Sequence, residues 1–561
     1  MQSKVQRPFP GGAPVPRAQQ SRRRPTFGEL ADLGACPLSA REGAPTPGPQ
    51  RCLAVPAQPS NLKISAGQTC KLSEPGCTSA NAAYAMKTKK EISETKLTRR
   101  QFLRGTTLAA TSFLFVPGAV LGLNGATSPN EKLNLAGIGI GGQGSHDLSQ
   151  MESENIIALC DVDQKYAAHT FNKYSKAKRF TDYHRMLDEI KEIDGVVIAT
   201  PDHHHAFASM AAIQHGKHVY CEKPLTHSVW EARQVAKAAR EAKVATQMGN
   251  QGQASEETRR LCEMVWAGVI GQVHEAHIWT DRPSNGLFNE YWPQGVSRPK
   301  DTPPVPSTLS WDLWLGPAPE RPYNPVYLPF VWRGWWDFGT GALGDIGCHA
   351  MDPVFRALKL GAPLMVQAAS TRVNQETFPL GSMITYEFPA RSAEPQSINC
   401  FVRTLEGATA GGIEMPPCKL TWYDGGLRPP RPDALPDGKK MGDNGRLLVG
   451  DKGFILNDTA YPESCAKDAA AVAATIPRSK GHYEEWIAAC KGGPKAGSNF
   501  DWAGPLAESV LLGNVALRVQ LREDLTLTKL HWDPANLRFT NLDDANKFVR
   551  RDYRSGWSLG V

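Results

Sequence analysis

The stretch KLNLAGIGIGGQGSHDL, Lys132–Leu148, decides the fold. An apolar run leads into the spacing GxGxxG at residues 139–144, and a polar segment follows. In a strand–turn–helix unit the first glycine permits the tight turn, and the second lets the backbone approach a pyrophosphate. The third lets the helix pack on the strand. The stretch therefore predicts a dinucleotide-binding loop, although this motif alone is weakly specific.

The next apolar run, NIIALCDVD, strengthens the prediction because it ends at Asp161, 17 residues after Gly144. A carboxylate at that place accepts hydrogen bonds from the adenosine ribose hydroxyls and repels a 2′-phosphate, so NAD is favoured and NADP is still possible. The candidate cofactor residues of this unit are Gly139, Gly141, Gly142, Gln143, Gly144 and Asp161.

Strand and helix signals then alternate as far as about residue 255. The runs DGVVIATPDHHHA, HVYCEKPL and VATQMGNQGQ are read as strands that end at Thr200-Pro201, Glu222-Lys223 and Asn250-Gln251. Ser228 and Glu231 have the spacing of a capping box, which predicts a helix after the second run. The alternation predicts a parallel, doubly wound sheet that binds ligands at the carboxyl ends of its strands.

Two charge patterns allow more than one interpretation. Glu222 and Lys223 end a buried strand, where they form either a surface ion pair or part of a ligand site. Asp345 and His349 are four residues apart in GTGALGDIGCHAMD, so they share one helix face. They form an ordinary ion pair, a zinc pair, or an acid/base pair in which the carboxylate favours the protonated ring. Lys223 would stabilise a developing alkoxide.

Three motifs in this order, GxGxxG, EKP and the Asp/His helix, resemble the glucose-fructose oxidoreductase/inositol dehydrogenase family (Gfo/Idh/MocA) from about Lys132 to the C-terminus. The resemblance implies that the matching lysine contacts substrate and nicotinamide ribose, that the histidine handles the proton, and that TPDHHHA is a loop beside the nicotinamide. The implied catalytic residues are Lys223, Asp345 and His349. The further cofactor candidates are Thr200, Pro201, His203, His205, Glu222, Lys223, Asn250 and Gln251.

An aromatic segment, WRGWWDFGTG, precedes the Asp/His helix. Aromatic side chains are most often core, but sugars stack on indole faces. Both interpretations stay open for the substrate candidates Trp332, Arg333, Trp335, Trp336 and Asp337.

The remainder of the chain predicts a second, α+β domain. Segments such as Val273–Thr280, SMITYEF, QSINCFVR and CKLTWYDG read as strands with few helices between them, which indicates a large, mainly antiparallel open sheet. The family resemblance implies that this domain shapes the substrate site and forms a homo-oligomer.

The N-terminal part predicts export. Residues 1–85 lack an apolar period, which is typical of disorder, or else Met86 is the true start. TRRQFLRG, residues 98–105, with the moderately apolar stretch after it, resembles a twin-arginine signal. A membrane anchor would need about 20 strongly apolar residues. The predicted organisation is 1–85 as an extension, 86–128 as the signal region, 130–255 as the Rossmann domain and 256–561 as the substrate and oligomerisation domain.

Composition excludes several partners and sites. The net charge of +7 comes mainly from the N-terminal part, so we expect no nucleic-acid binding. The cysteines of the body form no CxxC pair, and consecutive histidines at 203–205 do not converge, so we expect reduced thiols and no metal site. We also expect no stable membrane insertion after export.

Together these features predict an exported, periplasmic NAD(P)-dependent oxidoreductase that acts on a secondary hydroxyl of a sugar, sugar derivative or cyclic polyol. Because no free nicotinamide pool exists outside the cell, a tightly held and recycled cofactor is expected. One alternative is an NAD-dependent glycosidase that works through a transient 3-keto sugar. Another is a non-catalytic sugar-binding protein of the same fold.

Overall fold

The computed structural model describes residues 131–284, 290–391 and 414–561, and its first sheet is parallel. The strands of this sheet are β1 (Asn134–Ile138), β2 (Asn155–Cys160), β3 (Lys178–Phe180), β4 (Gly195–Ile198), β5 (His218–Glu222) and β6 (Thr246–Gly249). Within the described ranges their order is β3-β2-β1-β4-β5-β6, and every neighbouring pair is parallel. This confirms the predicted doubly wound Rossmann sheet.

Helices cover both faces of this sheet, so its inner strands are continuous apolar runs such as GVVI in β4, where all four residues are buried. The helices are α1 (Gln143–Gln150), α2 (Ala168–Lys173), α3 (Tyr183–Glu189), α4 (Asp202–Gln214) and α5 (Val229–Ala242). The capping box that opens α5 is confirmed: the Ser228 side chain accepts from the Glu231 N–H, and the Glu231 carboxylate accepts from the Ser228 N–H. TPDHHHA differs from the expected loop, because helix α4 begins at Asp202.

The second sheet is mixed and mostly antiparallel. Its strands are β7 (Val273–Trp279), β8 (Met365–Ser370), β9 (Ser382–Phe388), β10 (Cys418–Tyr423), β11 (Gly445–Gly450), β12 (Phe454–Leu456), β13 (Thr459–Tyr461), β14 (Leu530–Asp533) and β15 (Arg538–Phe539). In the described part of the chain the order is β13-β12-β11-β7-β10-β9-β8-β14-β15, with β7 and β10 parallel. Alternating burial along β9 shows that one face is covered. The predicted strand QSINCFVR lies outside the described residues.

The helices of the second half are short except for one. They are α6 (Glu256–Trp266), α7 (Trp311–Leu315), α8 (Gly341–Ala350), α9 (Asp352–Ala357), α10 (Glu463–Ala471), α11 (His482–Cys490), α12 (Phe500–Val519) and α13 (Asp543–Asn546). A search of the described residues finds no helix whose length and apolar character would let it cross a bilayer.

The chain returns to the first sheet near its end. Tyr483 and Trp486 of α11 join a buried cluster with Leu135 of β1 and Tyr220 of β5. Helix α12 packs along α5. Residues far beyond 255 therefore complete the core of the parallel sheet. The strands of the two sheets come from separate parts of the chain, but the two sheets share core residues.

The predicted signal region, residues 86–128, and residues 1–85 lie outside the described residues. Of the cysteines that are described, seven are free, and all but Cys490 are buried.

Candidate active site

A cavity of about 370 Å³ opens at the carboxyl ends of β1, β2, β4 and β5. Its walls come from the glycine loop, the end of β5, helix α8, the loop around residue 330 and the C-terminal tail. Fourteen predicted site residues line it: Gly139, Gly141, Gly142, Gln143, Asp161, Thr200, Pro201, His205, Glu222, Lys223, Gln251, Trp332, Arg333 and His349. The sheet thus brings the residues that sequence reasoning assigned to cofactor and substrate into one cavity.

Other predicted residues stand behind the cavity wall. The Asn250 amide donates to the carbonyl of Cys348 on α8 at 3.4 Å. His203 is buried between the carbonyls of Phe338 and Trp314. The structure therefore gives Asn250 and His203 contacts within the protein itself.

The glycine loop has the geometry that its spacing predicts at two of three positions. Gly139 has a φ of 76°, and a Cβ added to Gly144 would lie 2.2 Å from the Gly139 carbonyl oxygen. A Cβ on Gly141 would lie 2.1 Å from the ring of Tyr166. Tyr166, which sequence reasoning missed, therefore occupies space over the second glycine and lines the cavity.

Asp161 ends β2 beside this loop. One of its oxygens accepts from the Ile140 N–H at 2.8 Å and the other from the Asp163 N–H at 2.9 Å. Burial raises the pKa of Asp161 to about 6, against these two hydrogen bonds. Each carboxylate oxygen keeps a second lone pair, so Asp161 can still accept from a ribose hydroxyl.

Lys223 is held by the backbone and the side chain of Asp345. Its Nζ donates to the Asp345 Oδ1 at 2.7 Å and to the Asp345 carbonyl at 2.9 Å. The Arg333 Nε donates to the same Oδ1 at 2.8 Å. Burial alone would raise the pKa of Asp345, but the charges of Lys223 and Arg333 outweigh it and hold that pKa below its usual range. Asp345 is therefore an ionised bridge between two cations.

His349 lies one turn after Asp345 on α8, as predicted, but the two side chains do not bond to each other. Among the described residues the ring makes no hydrogen bond. Burial and, after it, the Lys223 charge lower the pKa of His349 to about 3, against the opposing effect of Asp345. The structure thus differs from the expected protonated ring, because burial outweighs the carboxylate. A neutral imidazole in this cavity can accept a proton.

Glu222 belongs to a buried acidic pair rather than to a surface ion pair. It is 5% exposed, and its carboxylate accepts from Gln251 at 2.8 Å. Asp147 of α1 accepts from Gln143 and from the Tyr483 hydroxyl, both at 2.8 Å. Burial raises the pKa of both carboxyls; the Glu222 charge raises the pKa of Asp147 further, whereas the Lys223 charge opposes the rise at Glu222. The pair connects the glycine loop, the end of β5 and helix α11.

The three consecutive histidines occupy the first turn of α4 and are buried. His205 lies between the carbonyl oxygens of Pro224 at 2.6 Å and Thr200 at 2.9 Å, which joins the ends of β5 and β4. Burial lowers the pKa of His205 to about 4. In the residues that the structure describes, no three His, Cys, Asp or Glu side chains are grouped to hold a metal.

The aromatic segment divides between cavity and core. Trp332 and Arg333 line the cavity, whereas Trp335 and Trp336 are 1% and 3% exposed and do not. The Trp335 indole donates to the carbonyl of Val326, and the Trp336 indole to that of Asn374. Asp337 forms an ion pair with Arg321.

Other aromatic wall residues were not predicted. Trp314 lies in helix α7, Phe330 precedes the aromatic segment, and Trp557 comes from the C-terminal tail. Trp557 packs edge-on against His204 and Phe207. Nothing in the spacing of these three residues indicated that they reach this cavity.

Comparisons with known proteins agree with this arrangement. Residues 133–250 match the model of the Gfo/Idh/MocA oxidoreductase family, NAD-binding Rossmann fold, and residues 258–389 match that family's C-terminal alpha/beta domain.

The chain matches individual curated relatives over only part of the relatives' own length. The chain is 30% identical over 149 residues to the inositol 2-dehydrogenase of Salmonella typhimurium. This match covers 25% of this chain and 44% of that protein. It is 29% identical over 119 residues to the D-glucoside 3-dehydrogenase of Escherichia coli, covering 21% of this chain and 34% of that protein. The chain thus spans less than half the length of these curated relatives.

Among solved structures, the WlbA dehydrogenase from Bordetella pertussis in complex with NADH and UDP-GlcNAcA matches with a TM-score of 0.45. The match has 14% identity and covers 72% of this chain and 99% of that one. The two consecutive family matches, which together span less than half of the 561 residues, make residues 133–250 and 258–389 similar to the NAD-binding Rossmann domain and the C-terminal domain of Gfo/Idh/MocA oxidoreductases.

Proposed function

We propose that the protein is an NAD-dependent oxidoreductase that acts on a secondary hydroxyl of a sugar, a sugar derivative or a cyclic polyol. The observation that carries the proposal is that Lys223, fixed by Asp345, faces the same cavity as His349 and the glycine loop. A cation, a neutral base and a dinucleotide loop at one sheet edge are the groups that alcohol oxidation requires.

The cavity fits a dinucleotide. The glycine loop leads directly into α1, whose first-turn N–H groups favour a pyrophosphate. Asp161 lies within reach of a ribose, and Lys223 lies at the other wall. When bound, NAD supplies the hydride acceptor or donor, which this chain lacks.

The protein's own groups would manage the proton and the oxygen charge. The Lys223 ammonium has three N–H donors, of which Asp345 takes two, so one can donate to the substrate oxygen. The neutral ring of His349 can take the hydroxyl proton. Arg333 and Asp345 fix the position of the lysine and leave the proton transfer to His349.

The substrate class rests on the aromatic wall and on the relatives. Trp332, Phe330 and Trp314 line the cavity, and sugar C–H faces pack on aromatic rings. The relatives named above are an inositol dehydrogenase and a D-glucoside dehydrogenase. Both names describe oxidation of a ring hydroxyl.

A tightly held, recycled cofactor is part of the proposal. Its support is that the cavity wall includes Trp557 of the tail and Phe330 of the 330 loop in addition to the glycine loop and the end of β5, so several separate segments surround a ligand. Recycling requires one substrate to be oxidised and a second reduced, or a 3-keto intermediate to be reduced again on the same enzyme. Mass spectrometry of the cofactor carried by the purified protein tests the tight binding.

Two further features of the protein are proposed. Export by the twin-arginine route rests on Arg99 and Arg100 and the stretch after them. A homo-oligomer rests on the nine-stranded sheet, on which Met383 of β9 is exposed. Light scattering of the purified chain tests the oligomer, and a monomer at micromolar concentration would contradict it.

The direct test is a panel of sugars, glycosides and cyclic polyols with the full chain and NAD, followed at 340 nm. Oxidation of at least one ring alcohol is expected. Release of the aglycone from a glycoside without net NADH would instead favour the glycosidase. If NAD binds and no member of the panel gives either signal, the result would support the non-catalytic sugar-binding alternative.

A further inference from the structure

A second, smaller cavity of about 70 Å³ lies next to the helix that carries Asp345 and His349. It is bounded by the first residues of α5, by Gly339 and Thr340 before α8, by the C-terminal half of α12 and by residues 547–551. It shares no lining residue with the candidate active site. Any ligand here would therefore bind at a different place from the dinucleotide.

The lining is strongly cationic. Lys547, Arg550, Arg551 and Arg518 line the cavity, and among the described residues no carboxylate does. Arg551 pairs with Glu231, and Lys547 lies 3.9 Å from Asp544. These two charges are partly compensated, whereas within the described ranges Arg518 and Arg550 form no ion pair at contact distance, although the Asp337 charge acts on Arg518.

Arg518 and Arg550 lie against aromatic rings, and the charge of Asp337 also acts on Arg518. The Arg518 guanidinium lies 5.0 Å from the Trp336 ring and 4.9 Å from the Phe548 ring, and Arg550 lies 4.1 Å from the Trp230 ring. The Arg518 Nε is buried without a hydrogen-bond partner. A buried N–H donor without a partner is costly, which indicates that a ligand or water satisfies it.

Asn514 of α12 adds an acceptor to this cavity. It is 9% exposed, and its Nδ2 donates to the Thr340 carbonyl at 2.9 Å, which fixes the orientation of the amide. Its Oδ1 is buried without a partner, and so is the Nε2 of His227. The cavity thus presents a charged donor, a fixed acceptor and a histidine nitrogen, all unsatisfied.

These groups specify the ligand. It must be an anion that accepts from Arg518, and it must also carry a hydroxyl that donates to Asn514. Hydrogenphosphate has both features, whereas sulfate and carboxylates lack the donor at neutral pH. One water needs roughly 10–15 Å³ of such space, so the cavity admits about five to seven water-sized groups, enough for the five heavy atoms of a phosphate ion.

We propose that this cavity is a binding site for free inorganic phosphate, separate from the dinucleotide site. Two helix N-termini support it, because α5 and α8 both begin at the cavity and their dipoles favour an anion.

Phosphate at this site would stabilise the start of α8. Asn514 holds the Thr340 carbonyl, and the Thr340 hydroxyl donates to Asp202 at 2.5 Å at the start of α4. A ligand that fixes Asn514 therefore braces the helix that carries Asp345 and His349. The inference does not depend on the proposed reaction.

The test is calorimetric titration of the full chain with inorganic phosphate at constant ionic strength and neutral pH. Saturable binding near one equivalent is expected, at least tenfold tighter than binding of sulfate or glycerol 3-phosphate. Arg518→Gln and, on the exposed side, Arg550→Gln should each weaken it about tenfold. The matched control is Arg240→Gln, which removes an exposed arginine paired with Asp501.

Saturating NAD separates the two sites. It should leave phosphate affinity unchanged, because the cavities share no residue. Displacement by NAD would place the phosphate at the glycine loop and overturn the proposal. Equal affinity for sulfate, or binding that neither variant weakens, would overturn it as well, as would no binding of phosphate at millimolar concentration.

Discussion

The Nζ of Lys223 donates to the Asp345 carboxylate across 2.7 Å, although 122 residues separate the two in the chain. The contact joins the end of β5 to helix α8, so the Rossmann sheet and the helix that carries His349 are fixed relative to each other. The carboxylate that was expected to tune the histidine instead positions the lysine.

Lys223→Ala should lower turnover by roughly 100-fold or more, because it removes a charge that stabilises the oxygen mainly in the transition state. NAD affinity, measured by fluorescence titration, should change little, since the glycine loop and Asp161 are untouched. Lys173→Ala is the control, because it removes an exposed lysine that pairs with Glu152. Full turnover together with a lower melting temperature would show that Lys223 is only structural.

His349 predicts an unusual pH profile. Its reactive form as a base is the neutral ring, which exists above its folded-state pKa of about 3. Alcohol oxidation should therefore not fall with a midpoint near 6.5 as the pH is lowered from 8 to 5. His349→Ala should lower turnover roughly 100-fold across that range.

Asp345→Asn removes a charge that raises the ring's pKa, so any acidic limb should move to lower pH. Asp188→Asn, beside the exposed His215, is the matched control. A wild-type midpoint near 6.5 that disappears in His349→Ala would contradict the neutral, buried ring.

Asp161 should set the cofactor preference. The wild-type chain should bind NAD more tightly than NADP. Asp161→Ala should reduce the ratio of NAD affinity to NADP affinity about tenfold or more, because it removes the repulsion of a 2′-phosphate. Because Asp161 also accepts from Ile140 and Asp163, the variant should lose stability too, so the ratio of the two affinities is the informative quantity. Tighter binding of NADP to the wild-type chain would contradict this role.

Trp557 should help to retain the cofactor or substrate. It lines the cavity and is fixed by edge-on contacts with His204 and Phe207. Trp557→Ala should weaken binding of NAD or of a confirmed substrate about tenfold, because it removes an aromatic ring from the cavity wall. Trp266→Ala is the control, because Trp266 is the last residue of α6 and does not line the cavity. Equal affinities in the two variants would remove Trp557 from the site.

Local patterns predicted the parallel sheet well. Strands β1, β2, β4 and β5 are apolar runs that end at glycine, acid or proline, and the capping box of α5 needs only Ser228 and Glu231. The placement of Asp345 and His349 on one helix face also follows from spacing alone. These features involve residues that are neighbours in sequence, so sequence contains their geometry.

The missed features all depend on distant parts of the chain. Asp147 meets Tyr483 across 336 residues, and Arg333 competes for the carboxylate that was assigned to His349. Burial also decided the charge of His349, and burial depends on how α8 packs rather than on its own residues. Periodicity and spacing carry no information about such contacts.

Export should depend on the arginine pair at 99–100. Arg99→Lys with Arg100→Lys keeps both charges but replaces the planar guanidinium groups, which a receptor that reads adjacent arginines would distinguish. The double variant should stay in the cytoplasm when cells are fractionated, while the wild-type chain reaches the periplasm. The control is Lys87→Arg with Lys89→Arg, in the basic run KTKK at 87–90, which is present whether translation starts at Met1 or at Met86. Because these substitutions keep both charges and leave the arginine pair untouched, the variant should be exported normally. An unchanged distribution of the 99–100 variant would show that another feature directs the protein, or that it is not exported.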